Sequence, residues 1–122
     1  MSSLAKRFEA AVSALVGEGS VKDRLVEAYT DHLDDLGDSE LPQSLRTTFE
    51  DLHTDLHTVT PIGKEPCVRA TIRKMSMLQA GNHARTIVSI YAKLVHDSEH
   101  AEPLKVVNRK PKKLPRFLSQ GV

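Results

Sequence analysis

Residues 42–60 have the sequence PQSLRTTFEDLHTDLHTVT, and this stretch carries the clearest amphipathic pattern in the chain. Its apolar residues recur at steps of three and four, which places them on one face of an α-helix. Pro42 suits the first turn of a helix, and Pro61 and Gly63 are expected to end it. The stretch therefore predicts a helix that buries one face, formed by Leu45, Phe49, Leu52, Leu56 and Val59.

Four other segments show the same helical spacing, and most of them have a recognisable start or stop. Ser20 opens the second helix as an N-cap, and Gly37 is expected to end it. Pro66 begins a short fourth helix, and Ser76 with Gln79 forms a capping-box signature for the fifth. The predicted buried stripes are Leu4, Phe8, Ala11, Val12, Leu15 and Val16; then Val21, Leu25, Ala28, Tyr29, Leu33 and Leu36; then Val68, Ile72 and Met75; and finally Met77, Ala80, Ala84, Ile87, Val88, Tyr91, Leu94 and Val95.

Length and composition favour one domain of packed helices. The chain has 122 residues, no Trp, three Phe and two Tyr, so aliphatic residues must fill the core, which suits helices better than a sheet. We expect an all-α protein with a single compact bundle of four to five helices over residues 1–98. Periodicity fades after His96, and residues 103–116 hold three prolines. Residues 99–122 are therefore expected to form an extended basic C-terminal arm.

Charge is distributed unevenly along the chain. Residues 1–60 hold five basic and twelve acidic side chains, whereas residues 105–122 hold six basic and no acidic ones. An acidic front half with a basic tail is typical of a protein with an interaction arm. The first functional hypothesis is a non-catalytic interaction or regulatory protein whose arm contacts nucleic acid, an acidic protein or a second copy of itself. The expected contacts in the arm are Lys105, Arg109, Lys110, Lys112, Lys113 and Arg116.

A second basic group lies on the predicted fourth helix. Arg69 and Arg73 are four residues apart, and Lys74 is beside Arg73, away from the apolar stripe of that helix. Such a group can contact phosphates or an acidic partner. The alternative is that these residues pair with the acidic helices of the same chain. Both interpretations stay open at the level of sequence.

The third helix contains Glu50, His53 and His57, at i, i+3 and i+7 along one edge. Histidine and carboxylate at this spacing can hold a divalent metal, which gives the alternative hypothesis of a metal-binding or metal-dependent helical protein. Asp31 and His32 would help if the second helix packs against the third. The Glu-x-x-His unit is similar to the ligand pair of ferritin-like di-iron bundles, but those contain a second such unit and this sequence does not. Our first expectation is therefore no cofactor and no tight metal site. By helical angle, His53 should border the apolar stripe and His57 should lie farther out.

Other features bear on compartment and enzyme class. Cys67 is the lone cysteine, which fits a reducing compartment such as a cytoplasm and a small packing residue. No apolar run approaches the length of about 18 residues that a membrane span needs. The sequence contains no phosphate loop, nucleophile elbow, His-Glu-x-x-His zinc site or Cys-x-x-Cys pair. An enzyme is therefore the less expected class.

Overall fold

The computed structural model of the chain describes residues 3–37 and 40–106, with side-chain surroundings as far as Asp97. Within these ranges it has five helices and no strand. The all-α prediction is thus confirmed for the part of the chain that is described. The helices are α1 (Ser3–Leu15), α2 (Val21–His32), α3 (Gln43–Asp55), α4 (Cys67–Lys74) and α5 (Met77–Val106).

The chain divides into two units, Met1–Ala92 and Lys93–Val122. In the second unit the described stretch is helical as far as Val106, beyond the boundary after Ser98 that the sequence predicts. Residues 107–122, which hold most of the basic arm, lie outside the described residues, so the extended arm stays a prediction. Helix α5 is 30 residues long, yet no described helix combines the length and apolarity needed to span a membrane.

Helix starts follow the local signals in the sequence. The Ser20 hydroxyl accepts a hydrogen bond from the Asp23 backbone N–H at 3.1 Å, which caps α2. Before α5, the Ser76 N–H donates to Gln79 Oε1 at 2.9 Å, and the Gln79 N–H donates to Ser76 Oγ at 3.0 Å. These two bonds are the predicted capping box.

Two helix ends differ from the prediction. α2 ends at His32 instead of Gly37, and α3 ends at Asp55 instead of near Pro61. At the end of α2 the backbone N–H groups of Leu33 and Asp34 both donate to the Tyr29 carbonyl at 2.9 Å. The second of these bonds spans five residues and ends the helix without a left-handed residue, since Leu33 has a φ of −122°. Leu33 stays fully buried although it belongs to a turn, so the apolar spacing continues past the end of the helix.

The core of the first unit lies among the apolar faces of its helices. Phe8 of α1 meets Phe49 of α3 edge to face, with ring centroids 6.1 Å apart. Burying each large side chain contributes about 1.5–3 kcal/mol relative to leaving it exposed. The largest fully buried side chains are Tyr29, Phe8, Phe49, Leu25, Leu33, Leu41, Leu45, Leu52, Leu56, Ile72, Ile87 and Ile90.

The predicted stripe on α5 is wrong at two positions. Met77 and Val88 are 56% and 43% exposed, whereas Ile90, which the stripe omits, is 1% exposed. Apolar residues cover a wide arc of this helix, so periodicity alone does not say which side packs. A Cβ built on Gly81 would meet nothing within 4 Å in the described structure. Close packing of another described helix against Gly81 is therefore not the reason for a glycine at this position.

Cationic side chains of α2 hold the ends of two neighbouring helices. Arg24 donates to the Leu15 carbonyl at 2.7 Å, at the end of α1, and Lys22 donates to the Arg73 carbonyl at 3.0 Å, near the end of α4. Cations are favourable there because the last carbonyls of a helix lack internal partners. α2 thus packs against both α1 and α4, and these two bonds join its N-terminal end to the C-terminal ends of those helices.

Candidate metal centre

The C-terminal ends of α2 and α3 bring three metal-ligating side chains together. Asp34 lies in the turn after α2, His53 lies in the last turn of α3, and His57 lies just after that helix. One ligand atom from each of the three lies within 4.8 Å of the others. The closest pair with a measured separation is His57 Nε2 and Asp34 Oδ1, at 3.4 Å. Two imidazoles and one carboxylate form a ligand set that divalent transition metals favour.

Hydrogen bonds engage the Nδ1 atom of both imidazoles. His53 Nδ1 lies 2.7 Å from the Tyr29 hydroxyl. His57 Nδ1 lies 2.6 Å from the His53 carbonyl, which can only accept, so His57 must donate from Nδ1. In a neutral His57 the lone pair therefore lies on Nε2 and faces the Asp34 carboxylate. A proton or a metal cation between these two acceptors makes the contact favourable, and water reaches both groups.

Ring packing fixes the two imidazoles above the core. The centroids of His53 and His57 are 4.1 Å apart, with a tilt of 34° between the ring planes. Tyr29 contributes an edge contact to His57 at 6.0 Å and is itself fully buried. His53 and Asp34 are exposed and His57 is half-buried. The base of the cluster is thus buried, while its outer side is exposed to solvent.

One separation in the cluster already suits a metal ion, and all three ligand atoms lie within 4.8 Å of one another. Zinc is bound by nitrogen and oxygen at about 2.0–2.2 Å, so ligand atoms in a tetrahedral site lie about 3.4 Å apart. The pair His57 Nε2 and Asp34 Oδ1 already has this separation. Asp34 is exposed and belongs to a turn, so its side chain can move toward the two imidazoles without bending a helix. Three protein ligands also leave at least one coordination position for water.

The composition of the cluster differs from the set expected from sequence. His53 and His57 are present, but Asp34 takes the place of Glu50, which is exposed on α3 and is not in the group. Asp31 and His32, the expected helpers, are not in it either. The expected exposures are reversed, because His57 is more buried than His53. The reason is that α2 and α3 both end earlier than the sequence predicts. Positions around an ideal helix therefore no longer apply to Asp34 and His57.

The signal for Asp34 in the sequence is weak. Residues 31–38 read DHLDDLGD, in which a glycine follows several carboxylates. Such a run indicates an acidic turn without saying which carboxylate faces another helix. Tyr29 was expected only as a core residue, and its hydroxyl contact with His53 was also missed.

The basic residues of α4 do not share one surface. Arg69 and Arg73 line a cleft of about 320 Å³ together with Lys22, whereas Lys74 lines a different cavity with Asp55 and His83. All three α4 residues are exposed.

Arg73 has a partner close to its own helix. Its Nε donates to Glu65 Oε2 at 3.0 Å, and its Nη2 donates to Glu65 Oε1 at 2.9 Å. Hydrogen bonding to Arg73, followed by the nearby charges of Arg73, Arg69 and Lys74, lowers the pKa of Glu65. Arg73 therefore pairs within the chain, though with Glu65 rather than with the acidic front half.

Cys67 takes part in a local hydrogen-bond network. Its thiol donates to the Val59 carbonyl at 3.1 Å, and its own carbonyl accepts from the Thr71 hydroxyl at 2.9 Å. The Val59 N–H completes the network by donating to Thr71 Oγ1 at 3.1 Å. The half-buried cysteine thus joins the segment after α3 to the first turn of α4.

The expected contacts of the arm fall at or beyond the end of the described chain. The backbone of Lys105 belongs to α5, and the other five residues, Arg109, Lys110, Lys112, Lys113 and Arg116, lie outside the described residues. The geometry that bears on function is therefore that of the first unit. Comparison with known proteins found no matching family model, no matching curated protein and no matching solved structure.

Proposed function

We propose that this chain is a metal-binding helical protein that holds one divalent transition-metal ion between Asp34, His53 and His57. The observation that carries the proposal is the orientation of His57. Its Nδ1 donates to a carbonyl, so the Nε2 lone pair of the neutral ring faces the Asp34 carboxylate at 3.4 Å. A metal cation between these two atoms satisfies both acceptors, and His53 supplies a third ligand.

The donor set supports a particular class of ion. Imidazole with a carboxylate suits Zn²⁺, Fe²⁺, Ni²⁺ or Cu²⁺, whereas Mg²⁺ and Ca²⁺ prefer oxygen alone. Each histidine also has its Nδ1 engaged, by a hydroxyl or by a carbonyl, which is the usual arrangement around metal-bound histidine. The proposed ion joins the end of α2 to the end of α3, so its role is structural or regulatory binding.

Titration of the metal-free 122-residue chain with Zn²⁺ tests this function. Isothermal titration calorimetry should give one zinc per chain with a dissociation constant on the order of 1 μM or tighter. His57→Ala should weaken binding by about 10-fold or more, because it removes the ligand that faces Asp34. His83→Ala, at a half-buried histidine of α5, is the matched control and should bind as the unaltered protein does. Absence of saturable binding, or equal affinity in His57→Ala, would overturn the proposal.

We propose a second function for the basic arm, which is compatible with the first. Residues 105–122 hold six basic and no acidic side chains, and this bias supports contact with an acidic partner. The partner is nucleic acid, an acidic protein or a second copy of the chain, and the role is non-catalytic interaction or regulation. Arg69 is exposed and lines the cleft that holds Lys22, which adds basic surface.

The lone cysteine and its hydrogen-bonded thiol support a reducing compartment such as the cytoplasm.

Salt titration of nucleic-acid binding separates these partners. The full chain should bind DNA or RNA at low salt with an affinity that falls steeply as salt rises. Replacing Lys110, Lys112, Lys113 and Arg116 with Gln should reduce the slope of log K against log salt by about 3–4 on duplex DNA, if each makes a phosphate contact. A control that replaces Lys6, Lys64, Arg85 and Lys93 with Gln should keep the slope. Failure to bind DNA or RNA at low salt would rule out nucleic acid as the partner. Analytical ultracentrifugation would then test whether the chain associates with a second copy of itself.

A further inference from the structure

We infer that Tyr29 is the positioning residue of the proposed metal site, and that its hydroxyl holds His53 so that Nε2 is the nitrogen that binds the ion. This inference rests on the proposed metal-binding function and names the residue that organises its ligands. Tyr29 lies on α2 and is fully buried, so it binds no ion itself.

One buried residue contacts all three ligand-bearing positions. Through its hydroxyl, Tyr29 meets His53 Nδ1 at 2.7 Å. Through its ring, it makes the edge contact with His57, at a centroid distance of 6.0 Å. Through its backbone carbonyl, it accepts the N–H groups of Leu33 and Asp34, which forms the turn that presents the Asp34 carboxylate. The position of each ligand therefore depends on the placement of Tyr29 in the core.

The chemistry of the imidazole gives the hydroxyl a specific task. A neutral histidine that binds a metal through Nε2 keeps its proton on Nδ1, and that N–H needs an acceptor. The phenol oxygen of Tyr29 can accept, and its own O–H can also donate. Without metal, the bond between Tyr29 and His53 can therefore run in either direction. With metal on Nε2, the bond must run from His53 Nδ1–H to the Tyr29 oxygen.

Replacing Tyr29 with Phe separates this role from packing. Phe keeps the buried ring and its contact with His57 but removes the acceptor for His53. Loss of a hydrogen bond to a metal-binding histidine typically weakens metal affinity by about 10–100-fold. A residue that only fills the core would lower thermal stability in the same variant without changing the zinc affinity of the folded protein.

The experiment compares zinc titrations of the unaltered 122-residue chain and Tyr29→Phe at a temperature where circular dichroism shows both folded. We expect the dissociation constant to rise at least 10-fold in Tyr29→Phe and to stay unchanged in Tyr91→Phe, the matched tyrosine control on α5. Equal affinity in Tyr29→Phe and the unaltered protein overturns the inference and leaves the metal site intact. Absence of zinc binding to the unaltered protein overturns the site itself, so the two failures are distinguishable.

A measurement on the unaltered protein covers the case in which Tyr29→Phe does not fold. Nitrogen-15 NMR of the zinc-loaded chain reports which ring nitrogen of His53 carries the metal and which carries the proton. We expect zinc on Nε2 and a proton on Nδ1. Zinc on Nδ1 would overturn the inference, because that nitrogen would then be unable to bond to Tyr29.

Discussion

Single hydroxyl groups make hydrogen bonds at two places where helices of this protein end. The Tyr29 hydroxyl bonds to His53 in the last turn of α3, and the Thr71 hydroxyl joins α4 to the segment after α3. Thr71 is 3% exposed, and its hydroxyl both accepts from the Val59 N–H and donates to the Cys67 carbonyl. A buried backbone N–H that loses its only acceptor carries the full cost of its removal from water.

Thr71→Val tests this residue-scale account. Valine matches threonine in shape but leaves the Val59 N–H without its hydroxyl acceptor, so the free energy of unfolding should fall by about 1–3 kcal/mol. Urea unfolding followed by circular dichroism measures the change. The matched control is Thr47→Val, at an exposed position of α3, which should change the free energy of unfolding by less than about 0.5 kcal/mol. If both variants lose the same small amount, the network does not stabilise the fold.

At the scale of helices, the sequence predicts starts better than ends. The caps at Ser20 and Ser76 join residues three apart, so a local pattern contains the whole interaction. The end of α2 depends instead on Leu33 and Leu36, which are buried although both lie outside the helix. His53 and His57 were identifiable as candidates from sequence because they are four residues apart in one segment. The approach of Asp34 was not, because Asp34 comes from another segment and its approach depends on how the chain packs.

Helix α4 shows how a short element is stabilised by its surroundings. Eight residues are too few for a stable isolated helix in water. Arg73 in its last turn is bound to Glu65, which precedes the helix, and its carbonyl accepts from Lys22 of α2. Both contacts involve exposed charges, so their contribution should depend on pH and salt.

Glu65→Gln tests the first of these contacts. Arg73 lowers the pKa of Glu65 in the folded protein, so the pair stabilises the fold above the unfolded-state pKa of about 4.3. That stability is lost as pH falls through the lower folded-state pKa. The melting temperature of Glu65→Gln should therefore lie below that of the unaltered protein at neutral pH, and the gap should close on strong acidification.

The matched control for this prediction is Glu9→Gln, at an exposed carboxylate of α1. Thermal melts of all three proteins across the pH range give the comparison. If the melting temperature of Glu65→Gln lay below that of the unaltered protein by the same amount at every pH, the ion pair with Arg73 would not be the cause of the difference.

At the scale of the whole chain, charge and metal binding are connected. The candidate metal centre lies within residues 1–60, where acidic side chains outnumber basic ones by twelve to five. A surface of one sign raises the local concentration of ions of opposite sign. The acidic half therefore favours capture of a cation at Asp34, His53 and His57. The basic residues 105–122 have the opposite preference and suit an acidic partner.

The most direct test of the central claim is a crystal structure of the zinc-loaded 122-residue chain with anomalous diffraction at the zinc edge. We predict one strong anomalous peak between Asp34 and the Nε2 atoms of His53 and His57, at about 2.0–2.2 Å from each ligand atom. A strong peak at Cys67 or His83 instead, or a zinc-treated crystal with no peak at the three ligands, would contradict the account.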